Sequence, residues 1–276
     1  MKQADSAAAR STITVRLLGR LEVAIDGMPV RLAGRHAQAL AALLALRPRP
    51  RLRDAIAADL WPDFDGPSAS SLRQALWLLR TGVTASGVEP DRILDVGPET
   101  LGIRADARID LDAVAFESLA SAGPQGATAA IELYRGDLAE GLGHECFAAD
   151  RERLSDLYED VLASVGDARL ATGDVAGAVD AATRLLLRDP LREEGHGVLI
   201  AAYGLTGSRS QVVRQYRRLC EILRDELAVP PLPETEAVYR TAIARTVERS
   251  AQRAAVMGDH RPLGRPVISR ILASTV

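Results

Sequence analysis

The segment PSASSLRQALWLLRTGV, residues 67–83, writes two faces onto one helix. Leu72, Leu76, Leu79 and Val83 recur at i, i+4, i+7 and i+11, which aligns them as a single apolar stripe. Ser70, Arg73, Gln74, Trp77 and Thr81 share the opposite face. A turn over 63–67 leads in, and Ser68 or Ser70 is placed to cap the first turn. A tryptophan in the middle of a polar face needs something to touch, and the rest of the chain has to say what.

Working upstream, LRDAIAADLWPD (52–63) reads as a helix stopped by Pro62, and RHAQALAALLAL (35–46) as an Ala- and Leu-rich helix. Pro48 and Pro50 forbid continuation of the latter. Ahead of these, residues 12–17 and 21–25 alternate apolar with polar, so they predict two strands, and Asp26-Gly27 turns into a third at 29–32. Downstream, RILDVGPETLGI (92–103) predicts a hairpin, with Ile93, Leu94 and Val96 on one arm and Leu101 and Ile103 on the other. Strands, three helices and a hairpin in that order define a winged helix.

From about residue 110 the pattern turns helical. Thr172-Gly173 and Thr206-Gly207 lie 34 residues apart, and Ala178/Val212, Val179/Val213 and Leu185/Leu219 keep the same step. A period of that length in helix pairs is the tetratricopeptide spacing. Segments 111–120, 128–135 and 151–170 supply degenerate first units, PPLPE at 230–234 stops the second repeat, and 235–247 makes a capping helix. The expected fold is therefore mainly α: a flexible tail over 1–10, a winged helix-turn-helix of α+β type over 11–106, an all-α tetratricopeptide-like repeat domain over 107–249, and a loose tail over 250–276.

Composition narrows the chemistry. No apolar run approaches the roughly 18 residues of a membrane span, and the first ten residues lack a secretory apolar core, so the chain reads as cytoplasmic with no membrane partner. Cys146 and Cys220 show no ligand spacing and read as reduced, small core residues. Lys2 is the sole lysine, which removes phosphate-cradling Gly-Lys-Ser/Thr loops and lysine Schiff bases. His144-Glu145-Cys146 has no second ligand pair at zinc spacing, and Glu193-Glu194 sits at a helix start, where acidic residues favour the dipole. Nothing supports catalysis, a metal or a cofactor. Charge is divided unevenly: residues 1–108 hold 15 basic against 12 acidic side chains, the remainder 19 against 25. A basic front on an acidic back suits a nucleic-acid module joined to something else.

The stretches LLGRLEVAIDGMPVRLAGRHAQALAALLAL, LWPD and SLRQALWLLR, followed by DLDAVAFESLA, ELYRGDLAEGL and LRDPLREEGHGVLIAAYGLTGSRSQVVRQYRRL, resemble the SARP family of bacterial antibiotic-pathway regulators over roughly 12–247. That family joins a response-regulator-type winged helix to a bacterial transcriptional activator domain. The resemblance implies a transcriptional activator whose winged helix docks on double-stranded DNA. Its helical repeats would pack on the first domain or contact the transcription machinery, RNA polymerase or its sigma subunit. A homodimer on repeated half-sites is the usual helix-turn-helix arrangement. Two departures stand out. Family recognition helices end in a basic cluster, where this chain keeps only Arg80 before Thr81. The wing tip is Gly97-Pro98-Glu99-Thr100 behind Asp95, where the family carries a glycine-aromatic-basic tip.

On this reading Arg73 and Gln74 reach base edges, arginine pairing with guanine and glutamine with adenine, while Ser70 and Thr81 hold phosphates and Arg80 is a further DNA-binding candidate. Trp77 either packs on sugar or a thymine methyl, or docks with Leu78 on the second domain or a partner. An indole's width and its N–H favour docking. Arg47, Arg49, Arg51 and Arg53 stand at every second residue and, if extended, form a phosphate-contacting strip, with Arg35 at a helix N-terminus as a lesser anion site. Tyr203, Tyr216, Arg217 and Arg218 are the repeat domain's candidates for partner contact, Tyr216 equally suiting the intra-repeat core. The alternative to DNA binding is a regulatory scaffold whose winged helix binds protein instead, a reading the acidic wing and Trp77-Leu78 favour.

Overall fold

The computed structural model describes residues 11–62 and 68–258. The expected tails over 1–10 and from 259, the turn over 63–67 and the Ser68 side chain lie outside the described residues. The chain divides into two compact units at Val165/Gly166. Among the described residues no helix is long and apolar enough to cross a membrane.

The first unit opens with the expected strands, β1 (Thr12–Arg16), β2 (Glu22–Ile25) and β3 (Met28–Val30), antiparallel through the Asp26-Gly27 turn. Helix α1 (Arg35–Leu46) buries Ala37, Ala39, Leu40 and the run Ala42–Ala45, its alanines letting it lie close against its neighbours. A two-residue strand β4 (Arg51–Leu52) runs straight into α2 (Arg53–Leu60). Helix α3 (Ser68–Ala85) packs on α1 and α2 through the predicted stripe, with Leu72, Leu76, Leu79 and Val83 all buried. Ser70 lies inside this helix and so is not its cap.

After a 3-10 turn at Pro90–Arg92, β5 (Leu94–Val96) and β6 (Thr100–Ile103) form the wing, and β4 adds to it in the order β4-β6-β5. The fold is thus a winged helix followed by helices, mainly α as expected.

Two features extend this unit beyond the predicted boundary at 106. Strand β7 (Arg108–Leu111) pairs parallel with β1, placing Ile13 opposite Ile109 and Val15 opposite Leu111 and completing the sheet β3-β2-β1-β7. Asp112, the first residue of α4 (Asp112–Ser121), accepts the backbone N–H groups of Leu17 at 2.7 Å and Leu18 at 3.0 Å. Burial pushes its carboxyl above the usual carboxylate range, and the backbone donors hold that rise back. Helix α5 (Pro124–Leu133) and the start of α6 (Ala148–Thr172) complete the unit around Phe116, Tyr134 and Tyr158, the two tyrosine rings stacked at 4.1 Å.

The second unit carries the repeat in α7 (Val175–Arg188), α8 (Glu193–Thr206), α9 (Arg209–Leu227) and α10 (Pro233–Gly258). Each copy is a helix ended by Thr-Gly and followed by a second helix. Gly173 and Gly207 take φ 81 and 78, the left-handed conformation that closes a helix most easily when no Cβ is present. Burial keeps the same step: Ala178 and Val212 are both fully buried, as are Leu185 and Leu219. Gly204 on α8 meets α10 at Ala242 so closely that an added Cβ would lie 2.8 Å from that methyl. Helix α10 runs past the predicted end at 247 to Gly258, so the segment 250–258, expected as loose tail, is helical.

Candidate nucleic-acid interface

The exposed face of α3 carries the residues expected there. Arg73, Gln74, Trp77 and Thr81 are all exposed, and Ser70 is half-buried in the first turn. Neither Arg73 nor Gln74 is engaged by another side chain among the described residues. Thr81 turns its hydroxyl back to donate to the Trp77 carbonyl at 2.8 Å, a common use of a helical threonine. Trp77 stands 64% exposed among the described residues. Leu78 is half-buried beside Gly34.

A groove of about 490 Å³ separates α3 from the wing and from the β4–α2 junction. Leu72 and Leu76 floor it, Arg73 stands on one side, and Leu52, Pro98 and Glu99 face it. The Arg53 backbone N–H donates to the Glu99 carbonyl at 2.8 Å, which ties the wing tip to the start of α2. The exposed carboxylates of Asp95 and Glu99 give the wing the acidic character read from its sequence.

The arginine strip is largely tied up. Strand β4 covers only Arg51 and Leu52, and Arg53 already begins α2. Arg47 instead reaches Asp150 at 3.2 Å and donates to the Cys146 carbonyl, while Arg51 pairs with Asp59 at 2.8 Å. Arg53 is half-buried, and Arg49 is exposed. Arg80, the one remnant of the basic cluster, pairs with Asp91 at 2.7 Å and holds that carboxyl below its ordinary value through its hydrogen bond and charge. Arg35 is exposed at the first residue of α1, behind Gly34, which offers no capping side chain.

The partners Asp59, Asp91 and Asp150 were missed from the sequence, as was Leu52 at 58% exposure. Asp91 lies 11 residues from Arg80 and Asp150 lies 103 from Arg47, separations at which no helical spacing announces a pair.

In the second unit Tyr216 belongs to the core. It stacks on Tyr239 at 4.0 Å and packs against Ile200, Val212 and Ala242. Its hydroxyl is pushed up to about 12 by burial and by neighbouring Cys220. These contacts favour the intra-repeat core reading of this half-buried residue. Tyr203 is half-buried against the same cluster, while Arg217 and Arg218 are exposed.

Residues 110–242 match the family described as the bacterial transcriptional activator domain. These residues carry that domain, and with the winged helix ahead of it the chain has the make-up of a SARP-type transcriptional regulator. It is similar to the transcriptional regulatory protein EmbR of Mycobacterium tuberculosis and of Mycobacterium bovis, 28% identical over 251 residues that cover 85% of this chain. The match spans 64% of those relatives' length, less than two thirds. Transcriptional regulatory protein MoaR1 of M. tuberculosis is 26% identical over 253 residues, 85% of this chain and 80% of its own. The solved structure of M. tuberculosis EmbR in complex with a low-affinity phosphopeptide superposes with a TM-score of 0.71 at 22% identity, covering 91% of this chain and 72% of that one, and so shares the fold.

Proposed function

We propose that the chain is a DNA-binding transcriptional regulator, an activator, that works in the cytoplasm by laying the N-terminal half of α3 in the major groove. The observation that carries this reading is the exposed face of α3, with Arg73 facing the wing across the groove and neither Arg73 nor Gln74 engaged by another side chain among the described residues. Arginine and glutamine are the side chains that read guanine and adenine bidentately. The second unit then contacts the transcription machinery, RNA polymerase or its sigma subunit, and a dimer occupies two half-sites.

Phosphate contacts are few in this reading, because Arg47, Arg51 and Arg80 are held by carboxylates. The exposed Arg49 and Arg35 remain for the backbone. Each neutralised phosphate steepens the fall of log K with log salt by about 0.9, so the slope is shallow and sequence preference rests on base contacts.

The test is selection of bound fragments from genomic DNA, then titration of the best fragment at several salt concentrations. A repeated motif is expected. Arg73→Ala should cost about 1–3 kcal/mol and relax preference at one position, whereas Arg51→Ala should leave affinity near that of the parent. Failure to enrich any sequence would favour the second reading, a winged helix that binds protein. That reading is supported by the acidic wing tip and by the 64% exposure of Trp77.

A further inference from the structure

We propose that the pocket between α7, α8 and α9 is a docking site for an acidic peptide of a partner protein, seating one leucine or phenylalanine side chain with a carboxylate on Arg218. The pocket has a volume of about 220 Å³, with Leu186, Leu187, Leu199 and Ile222 on its walls and Arg218 at its edge.

Three observations point to that occupant. The first is Leu187, which stands 79% exposed. The 34-residue step places Glu221 at the equivalent position of the second copy, so the repeat's own packing does not call for an apolar side chain there. The second is the neutral floor. His196 is almost fully buried, with Nε2 on the Pro190 carbonyl at 3.1 Å and Nδ1 facing the Gln215 amide at 2.8 Å. Those two partners fit the neutral ring, donor at Nε2 and acceptor at Nδ1. The third is charge. Arg218 is the charged residue among those lining the pocket, and it has no ion-pair partner among the described residues. Helix α9 carries five arginines against three carboxylates in a chain whose net charge is −3, so its surface favours an acidic ligand.

An apolar anchor in a small pocket beside one charged contact is the arrangement that concentrates binding energy in few residues. The proposal rests on reading the second unit as a protein-contacting module and not on DNA binding.

The experiment pans a phage-displayed library of random short peptides on the full chain and measures the recovered peptides, as synthetic ligands, against Leu187→Asp, Arg218→Ala and Arg218→Glu. Both sites are exposed, so the variants keep the parent's fold, checked by circular-dichroism melting. Expected are peptides combining leucine or phenylalanine with aspartate or glutamate, weakened about tenfold or more by Leu187→Asp and Arg218→Glu. Replacing the peptide's acid by lysine should restore binding to Arg218→Glu. Recovery of no peptide, recovery without acidic enrichment, or equal binding to the variants overturns the proposal. So does sedimentation showing that Leu187→Asp dissolves a self-associated form, since the occupant would then be a second copy. The same variants should leave the DNA titration unchanged, so loss of DNA binding and loss of peptide binding report separately.

Discussion

Asp112 holds two backbone donors 95 and 94 residues upstream. Replacing it by alanine leaves the Leu17 and Leu18 N–H groups buried without an acceptor, which should cost about 2–3 kcal/mol in urea unfolding. Its titration adds a second signature. The folded carboxyl titrates above the ordinary value because it is buried. Its protonation therefore contributes stability that is full below about pH 3.9 and is lost as pH rises through the raised folded value. The stability difference between the parent and Asp112→Asn should shrink across that window and be flat above it. Unfolding curves at stepped pH test this, and a difference independent of pH would contradict it. Other residues whose partners lie far off in the chain share this character. Arg47 and Arg80 read as free cations in the sequence because nothing local reveals Asp150 or Asp91.

Among the elements, the seam between α8 and α9 carries the next prediction. Burial lowers the pKa of His196, with Arg218 adding to the effect and the Pro190 contact opposing it. Stability from the neutral ring is present above the unfolded value of about 6.5 and is lost as pH falls toward the folded value. The parent should therefore melt at lower temperature below pH ~6.5, and His196→Gln should lose most of that dependence. A melting temperature equally acid-sensitive in both would place the cause elsewhere. At this scale much was legible. The stripe of α3 follows from periodicity, because it has one buried face, while α1 follows from its run of alanines and leucines and the wing from two apolar runs about Gly97-Pro98. The repeat followed from its Thr-Gly corners. Strands β4 and β7 did not, for a physical reason: two and four residues long, they are strands only because β6 and β1 supply hydrogen-bond partners far away in sequence. The candidate site was legible as a face, in Arg73, Gln74 and Trp77, while the ion pairs that disarm its arginines were not.

For the whole molecule, sequence and packing draw different borders. The family match begins at residue 110, where composition also changes, yet the first compact unit continues to Val165. Strand β7 and Asp112 are the reason, since both complete structure begun by β1. A fragment of residues 1–165 should accordingly show a cooperative melt, whereas residues 1–106 lose the β1 partner and the acceptor for two buried donors and should be largely unfolded or melt far lower. Circular dichroism on the two fragments decides this, and equal stability would restore the border at 106. The parallel pairing has one more consequence. Because β1 and β7 point the same way, tension applied between residue 12 and the start of α4 pulls the strands lengthwise past each other. Their hydrogen bonds then share the load at once rather than peeling in turn, so this junction is a mechanical clamp.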